Sequence, residues 1–223
     1  MKLAINQPYF FPYLGYFQLL NQVNAFIFLD DVNYIKRGWI NHNVIANPHG
    51  EELPFSVPLT KPSQNRHINQ TLLSPTYPDW RAKWLLTLHH CYAQALNYSV
   101  VMPLLQEVVH GPNLVTIADL AERSIVETCK FLGVTNAFAR SSEVPKTCGG
   151  EERIIELCKN SSTTHYYNLS GGMSLYHAEV FRRHGIELLF VKGTASLSII
   201  DLLMRVPLDE VKQMLTQVQI LKG

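Results

Sequence analysis

The sequence lacks most of the features that would assign a function at once. Its 19 basic and 18 acidic side chains give a formal charge of +1, so no general basic surface for nucleic acid is predicted. Only a local basic patch around Lys36, Arg37 and Lys61 remains open. The longest apolar runs, such as residues 25–29, have the length of a strand and fall far short of the roughly 20 residues that span a bilayer.

No signal peptide is visible, because the polar segment Asn6-Gln7-Pro8 interrupts the first apolar residues. The four cysteines form no C-x-x-C pair, which favours reduced thiols in a reducing compartment. They are Cys91, Cys129, Cys148 and Cys158. We therefore expect a cytoplasmic protein. Cys148 is the one cysteine considered for chemistry, because it lies beside Gly149-Gly150.

The motifs of several enzyme classes are also absent. The nine histidines include no H-x-x-x-H pair, so no zinc site is predicted, and His89 and His90 are assigned to packing or to the surface. There is no P-loop pattern G-x-x-x-x-G-K-[ST] and no G-x-S-x-G elbow. The sequence therefore predicts no metal and names no cofactor.

What is present is an ordinary globular composition with a regular order of elements. Hydrophobic residues make up 47 % of the chain and charged residues 17 %, enough for a sizeable core. Leu3-Ala4-Ile5 predicts a buried strand, residues 13–23 an amphipathic helix and residues 25–29 a second strand. This order is the opening βαβ unit of a parallel sheet.

The rest of the chain continues that pattern after an interruption. Residues 39–45 and 53–59 predict a hairpin, and 79–109 and 114–132 predict helices, with Asn113 as the N-cap of the second. After Gly133 the elements alternate again. The predicted strands are 136–140, 164–169 and 186–191, and the predicted helices are 151–160, 174–184, 198–204 and 208–221.

The predicted fold class is therefore α/β, a parallel sheet with flanking helices of Rossmann-like type and an inserted helical region. The 223 residues predict a single α/β unit rather than two domains. Residues 1–60 and 133–205 are predicted to form the sheet core, and 78–132 the helical insertion.

The loop after the first strand is the first candidate site. It runs Gln7-Pro8-Tyr9-Phe10-Phe11-Pro12-Tyr13-Leu14-Gly15-Tyr16, at the strand end where parallel sheets bind ligands and helix N-termini face anions. Gly15 would let a ligand or another backbone approach closely. The alternative is that the aromatic side chains belong to the core. The predicted substrate-binding residues here are Gln7, Tyr9, Tyr13, Gly15 and Tyr16.

The second loop, residues 30–43, contains the densest polar cluster of the chain. Asp30 or Asp31 could act as a base, bind a metal or hold a sugar hydroxyl. Lys36 and Arg37 could hold a phosphate. The alternative is that the aspartates cap a turn and the cations are solvated. Asp30, Asp31 and Lys36 are the predicted catalytic residues, and Arg37, Trp39 and Asn41 are predicted to bind substrate.

Two glycine pairs complete the candidate site. The first lies in Lys146-Thr147-Cys148-Gly149-Gly150-Glu151-Glu152-Arg153, and the second in Ser170-Gly171-Gly172-Met173-Ser174-Leu175-Tyr176. Each precedes a predicted helix, as an anion-binding turn would, although both could equally be tight connections. The predicted substrate-binding residues are Thr147, Gly149, Gly150, Arg153, Ser170, Gly171 and Gly172.

The first loop resembles a known phosphate-handling loop. Phe11-Pro12-Tyr13-Leu14-Gly15-Tyr16 is similar to the strand–helix loop of the nucleotidyltransferase and class I synthetase superfamily, whose members have H-x-G-H. Tyr13 and Tyr16 stand where the two histidines are expected. Because those histidines contact phosphate in the transition state, the departure predicts altered or lost nucleotide chemistry.

Over essentially its whole length, the chain resembles the WbqC-like family. The segments that carry the resemblance are 6–16, 28–32, 36–41, Thr147, Gly149-Gly150, Arg153-Ile154, 164–167, 170–172 and 197–203. One departure is Asn6, where the family more often has histidine, which would weaken an acid–base role at that position.

The resemblance implies a place in surface-polysaccharide biosynthesis. Members occur in bacterial gene clusters for polysaccharides such as O-antigen, and some are described as glycine transferases. This suggests transfer of a small acyl or aminoacyl (glycyl) group to an amino sugar on a nucleotide or lipid carrier. It carries over no catalytic residues.

Two further functions are kept open. One is a non-catalytic module that binds a nucleotide-sugar or glycan and assists a transferase, with Tyr9, Phe10 and Trp39 stacking on the sugar. The other is a nucleotidyltransferase-related enzyme that uses ATP and Mg²⁺ to make an acyl-adenylate. The tyrosines in place of histidines count against this last reading.

Overall fold

The structure is a computed structural model that describes residues 1–194 and 197–223. Its strands are β1 Lys2–Asn6, β2 Ala25–Phe28, β3 His42–Ala46, β4 Glu52–Ser56, β5 Ala137–Arg140, β6 His165–Leu169, β7 Glu187–Lys192 and β8 Gln219–Lys222. Its helices are α1 Leu14–Leu20, α2 Tyr77–Tyr92, α3 Tyr98–Val109, α4 Ile117–Leu132, α5 Gly150–Asn160, α6 Ala178–Arg183, α7 Ile199–Arg205 and α8 Leu208–Thr216.

Six strands form the central sheet, in the order β5-β2-β1-β6-β7-β8. The first five are parallel to one another, and β8 runs antiparallel to β7. Numbered along the chain within this sheet, the order is 3-2-1-4-5-6, the arrangement of Rossmann-type folds. The predicted α/β fold with a mostly parallel sheet is thus confirmed. The strand order reverses between β1 and β6, where such folds have a crevice.

Both faces of the sheet are buried, which is why its strands are apolar almost without interruption. Leu3 and Ile5 of β1 belong to one core, together with Leu157 of α5 and Phe181 of α6. Ala4, between them in β1, belongs to the other core, which includes apolar side chains of α1, α4, α7 and α8. The alternation of side chains along β1 therefore supplies both helical layers.

The hairpin β3–β4 forms a two-stranded sheet of its own and does not join the central sheet. The buried rings of Phe10 and Phe11 connect the first loop to α2, since both lie within about 6 Å of the Trp84 ring, at 5.6 and 6.0 Å. Phe55 of the hairpin contacts the same indole at 5.6 Å. The hairpin and the helical middle region therefore meet at these two phenylalanines.

Several predicted helix boundaries were wrong. The helix predicted over 79–109 is two helices, because the chain turns between Tyr92 and Tyr98. Asn113 is not an N-cap, since its φ is +59°. Thr116 has this role instead: its hydroxyl accepts from the Asp119 amide, and the Asp119 carboxylate accepts from the Thr116 amide at 2.8 Å.

The other differences lie in the C-terminal part. The helix predicted over 174–184 is a 3-10 turn, Ser170–Leu175, followed by the short α6. The helix predicted over 208–221 ends at Thr216, and Gln219–Lys222 is a strand. This strand pairs with the free edge of β7, which satisfies backbone groups that a longer helix would leave exposed.

Candidate functional site

A cleft of about 420 Å³ lies at the carboxyl ends of β1 and β6, where the strand order reverses. Its lining comes from four segments: the end of β1 with the first loop, the end of β2 with the second loop, the 3-10 turn after β6, and the segment after β7. The lining residues are Ile5, Asn6, Gln7, Tyr9, Tyr13, Leu29, Ile35, Trp39, Asn168, Leu169, Ser170, Gly171, Gly172, Leu175, Tyr176 and Gly193.

Two asparagines lie near the carboxyl ends of the two central strands, β1 and β6. Asn6 ends β1, and its Oδ1 accepts from the amide of Gln7 at 2.9 Å. Asn168 is the penultimate residue of β6, and its Oδ1 accepts from the amide of Leu169 at 2.7 Å. Each carboxamide thus holds the chain as it leaves the sheet.

The two carboxamides differ in what remains available. Nδ2 of Asn168 donates to the hydroxyl oxygens of Tyr166 and Tyr176, at 3.0 and 3.1 Å. Nδ2 of Asn6 has no hydrogen-bond acceptor within the described ranges, 1–194 and 197–223. Asn6 therefore presents a free donor in the cleft, while Asn168 fixes Tyr176.

Two tyrosines add hydroxyl groups to the same wall. Tyr9 and Tyr13 both line the cleft. Burial raises the pKa of Tyr9 to about 12, and the neighbouring Tyr13 adds to this rise. Burial also raises the pKa of Tyr13. Both phenols therefore stay protonated at neutral pH and can donate hydrogen bonds, but they are poor bases.

The second loop contributes Ile35 and Trp39, which project because both ends of their turn are fixed. Tyr34, just before the turn, is held by two hydrogen bonds. Its amide donates to the Arg66 carbonyl, and the Tyr34 hydroxyl donates to Oδ1 of Asn41 at 2.7 Å. Within the turn, Gly38 N–H donates to the Ile35 carbonyl, and Arg37 has a φ of +59°. The Ile35 and Trp39 side chains are 48 % and 53 % exposed.

The lining that the structure describes contains no charged side chain. It consists of amides, phenols, one hydroxyl, glycines and apolar groups. The predicted cations Lys36 and Arg37 are exposed and lie between the lining residues Ile35 and Trp39 in the chain, but they are not lining residues themselves. Neutral hydrogen-bonding groups beside the exposed Trp39 indole suit a polyhydroxylated ligand group.

Gly15 and Tyr16 do not line the cleft. A Cβ on Gly15 would lie 2.7 Å from Cε2 of Tyr13 and 3.0 Å from Cα of Gly193, so the glycine serves the approach of another backbone. The Gly15 amide, in the first turn of α1, already donates to the Thr194 carbonyl and is therefore not available to a ligand. Tyr16 is fully buried, and its hydroxyl donates to the Gln7 carbonyl at 2.8 Å.

Asp30 and Asp31 lie in a separate buried network. The Asp30 carboxylate accepts from the Ser142 amide at 3.0 Å, the Ser142 hydroxyl at 2.7 Å and Nδ2 of Asn69 at 3.1 Å. The Ser141 hydroxyl lies between the two aspartates, within hydrogen-bond distance of a carboxylate oxygen of each. Asp30 is fully buried and Asp31 nearly so, which places both predicted catalytic carboxylates among groups that already use their lone pairs.

Arg153 closes this network from α5. Its guanidinium lies 3.5 Å from Oδ2 of Asp31 and 2.6 Å from Oε2 of Glu156. It also donates to three carbonyls of the preceding segment, those of Ser141, Val144 and Pro145. Arg153 is 2 % exposed, so it ties the start of α5 to the ends of β2 and β5.

The first glycine pair lies beside this network rather than at the cleft. The Thr147 hydroxyl donates to Oε1 of Glu156 at 2.5 Å, and Cys148 contacts the other carboxylate oxygen at 3.6 Å. Gly149 is the N-cap of α5, and Gly150 has a φ of +59°. The first turn of α5 already carries the carboxylates of Glu151 and Glu152, which offset the positive end of the helix dipole.

Some of the predicted substrate-binding residues therefore meet at the cleft and others do not. Those that line it are Gln7, Tyr9, Tyr13, Trp39, Ser170, Gly171 and Gly172. Those that lie elsewhere are Gly15, Tyr16, Arg37, Asn41, Thr147, Gly149, Gly150 and Arg153. Of the predicted catalytic residues, Asp30 and Asp31 are buried, and Lys36 is exposed and is not among the lining residues.

Sequence reasoning missed Asn6, Asn168 and Tyr176 as lining residues, and with them the apolar Ile35 and Leu175. A usable signal existed for the asparagines, because each is a polar residue that directly follows the buried residues of a parallel strand. No local pattern marks Leu175, whose position depends on the 3-10 turn after β6.

The described ranges contain no group of three or more histidine, cysteine, aspartate or glutamate side chains placed to hold a metal ion. Nor is any helix of these ranges both long and apolar enough to cross a membrane.

Fold and cleft together define an α/β protein of Rossmann-type strand order with a ligand-sized crevice at its switch point. The chain belongs to the WbqC-like protein family, whose family model matches residues 7–213. It is 29 % identical over 181 residues to an uncharacterized protein of Mycobacterium tuberculosis strain H37Rv, Rv1507c, a match that covers 81 % of this chain and 77 % of that protein. No solved structure matches the chain.

Proposed function

We propose that this protein transfers a small acyl or aminoacyl group, such as glycyl, to the amine of a sugar attached to a nucleotide or lipid carrier, in surface-polysaccharide biosynthesis. The observation that carries the proposal is the composition of the cleft. Its described lining offers several neutral hydrogen-bond donors beside an exposed indole and contains no charged group. The family resemblance supplies the context, in the polysaccharide gene clusters where members occur.

The sugar would lie against Trp39 and the amides. A pyranose ring has an apolar face that packs on aromatic rings and hydroxyl groups that pair with carboxamides. The Gln7 side chain and Nδ2 of Asn6 have no partner in the described part of the chain, so both are available to sugar hydroxyls. The carrier phosphates would then lie beside the cleft, near Lys36 and Arg37.

Acyl transfer to an amine is compatible with this neutral lining. The unprotonated amine attacks the carbonyl of an activated ester or thioester, a C–N bond forms, and the C–O or C–S bond breaks. The leaving group takes the electron pair, and the amine proton passes to it or to water. Negative charge develops on the carbonyl oxygen, and the protonated phenols of Tyr9 and Tyr13 are suitable donors to it.

The second candidate is the non-catalytic module that binds a nucleotide-sugar or glycan. The observation that favours it is the position of Asp30 and Asp31, since neither buried carboxylate is in the cleft lining. In that case Trp39 and the amides bind the sugar as proposed, but no group is transferred.

One experiment separates the two candidates. UDP-glucosamine is titrated into the protein by calorimetry, and the same mixture is incubated with a glycyl thioester and analysed by mass spectrometry. Transfer predicts both binding and a glycylated product. Binding without product favours the module, and the absence of both contradicts the proposed function.

Two variants test where the sugar binds. Trp39→Ala should weaken binding of UDP-glucosamine about fivefold, because stacking on an aromatic ring contributes about 1 kcal/mol. Leu86→Ala is the matched control, since Leu86 is 54 % exposed on α2, against 53 % for Trp39. Equal effects of both substitutions would contradict a sugar site at Trp39.

A further inference from the structure

One exposed turn beside the cleft carries both apolar and cationic side chains. Ile35, Trp39 and Leu175 all line the cleft, and they are 48 %, 53 % and 66 % exposed. Lys36 and Arg37, both exposed, lie between Ile35 and Trp39 in the chain. Met173, in the same 3-10 turn as Leu175, is also exposed.

The turn that presents these groups is held firmly. Tyr34 is 4 % exposed, and its hydroxyl and amide are both hydrogen bonded, while Ile40 accepts from the Phe10 amide at 3.1 Å. The exposed positions of Ile35 and Trp39 are therefore set by the fold, not by a loose loop. Large apolar side chains that a rigid turn keeps exposed to solvent beside a ligand-sized cleft indicate that the ligand has an apolar group there.

The charges specify what accompanies that group. Lys36 and Arg37 form no ion pair within residues 1–194 and 197–223, so they are available to an anion. The lining combines neutral donors with exposed apolar side chains, and two exposed cations lie in the same turn as Ile35 and Trp39, a combination that matches a sugar, an aliphatic chain and the diphosphate that joins them.

We propose that the carrier is a lipid: the ligand is a sugar, stacked on Trp39, that is joined through a diphosphate to an isoprenoid-like chain, whose first units pack on Ile35 and Leu175. This inference rests on the proposed function for the sugar in the cleft, and it selects the lipid carrier over the nucleotide. A nucleotide carrier would place a polar ribose and a base where the apolar side chains of Ile35 and Leu175 lie.

The test compares three soluble probes by calorimetry on the full chain. Geranyl diphosphate has the anion and the chain, pyrophosphate has the anion alone, and UDP has the diphosphate with a nucleoside. The inference expects geranyl diphosphate to bind at least tenfold more tightly than either of the others. UDP binding as tightly as geranyl diphosphate, or more tightly, would overturn it in favour of a nucleotide carrier.

A matched pair of leucines tests the location. Leu175→Ala should weaken geranyl diphosphate binding about fivefold and leave pyrophosphate binding unchanged, because only the chain contacts it. Leu96→Ala is the control, as Leu96 is 65 % exposed and is not among the lining residues. Equal effects of the two substitutions would show adventitious apolar binding and overturn the inference.

The charge contribution is tested with Lys36→Gln/Arg37→Gln, which should weaken geranyl diphosphate and pyrophosphate alike. Weakening of neither would overturn the assignment of the diphosphate. UDP-glucosamine binding, measured alongside, separates the two proposals. If it binds through Trp39 while geranyl diphosphate fails, the lipid carrier is wrong and the sugar site stands; if neither binds, both proposals are wrong.

Discussion

The carboxyl ends of the strands carry two polar regions of opposite character. Between β1 and β6 lies the cleft, whose described lining is neutral and includes donors without partners, such as Nδ2 of Asn6. At the ends of β2 and β5 lies the network of Asp30, Asp31 and Arg153, which is charged and buried and whose carboxylates already accept several hydrogen bonds. The two regions are adjacent in the sheet, since β1 pairs with β2.

The difference between them concerns what polar groups are free to do. A carboxylate that already accepts several hydrogen bonds holds the chain segments that supply them, and it leaves little capacity for a substrate. A neutral amide with a free donor costs little to leave exposed in a cleft and can bind a ligand when one arrives. In this fold, therefore, a cluster of charged residues in the sequence can indicate a structural network as readily as a functional site.

The largest effect should come from breaking the charged region. Arg153→Ala removes the partner of a buried aspartate and the donor to three carbonyls, so we expect a loss of about 3–5 kcal/mol in the free energy of unfolding. Urea denaturation gives the value. Arg182→Ala, at an exposed arginine of α6, is the control and should change stability by less than about 0.5 kcal/mol. A loss below about 1 kcal/mol for Arg153→Ala would show that the network does not hold the strand ends.

A smaller loss in the free energy of unfolding is expected from Asp30→Asn. The substitution keeps the shape of the side chain but places an NH2 group where the carboxylate accepted hydrogen bonds. Hydrogen bonds to charged groups contribute about 1.5–3 kcal/mol each, and we expect a net loss of about 2–3 kcal/mol because the new side chain retains one acceptor. Affinity for UDP-glucosamine per folded molecule should not change.

The exposed Asp209→Asn serves as the control for that substitution, with an effect below about 1 kcal/mol. The opposite outcome, full stability with lost product formation, would give Asp30 the catalytic role that its sequence context suggests and would reverse the comparison of the two regions.

Glu122 of α4, next to Arg140, should make the free energy of unfolding depend on pH by about 2 kcal/mol. Burial raises the pKa of Glu122 to about 7, although Arg140 acts in the opposite direction. The native state thus binds the proton more tightly than the unfolded chain, whose pKa is about 4.5. Its stabilising contribution is complete below pH 4.5 and is lost as the pH rises to about 7.

Urea denaturation at pH 5 and pH 7 measures this contribution. The fall in stability seen for the wild type should be nearly absent in Glu122→Gln and retained in Glu107→Gln, whose side chain is exposed. An unchanged fall in Glu122→Gln would assign the pH dependence to other groups. The cleft should contribute nothing in this window, since the Tyr9 phenol titrates only near pH 12.

Sequence patterns predict the sheet well because they are local. A buried parallel strand needs a continuous apolar run, and residues 3–5, 25–29 and 186–191 have one, so their strands were found within a residue or two. The edge strand β8 was missed because its four residues form a strand only through pairing with β7. Residues 208–221 show an amphipathic pattern, and nothing local shows where the helix gives way.

The candidate site was predicted in part for the same reason. Strand order places the first loop at a crevice, so Gln7, Tyr9 and Tyr13 could be found from the sequence. The roles of Asp30 and Arg153 could not, because they depend on Ser141 and Ser142, more than 100 residues from Asp30 in the chain. Local sequence shows that a residue is charged, but not which distant groups satisfy it.

The contact between Gly15 and Gly193 has a consequence for the order in which the molecule is assembled. It joins the start of α1 to the segment after β7 across 178 residues of chain, and β1 itself needs β6 as a neighbour. Contacts of such separation are slow to form because a long loop must close first. During synthesis, therefore, the crevice cannot exist until the chain has been made beyond residue 193. Ligand binding therefore shows that the chain has folded through β7 and the segment after it, and not only in its N-terminal half.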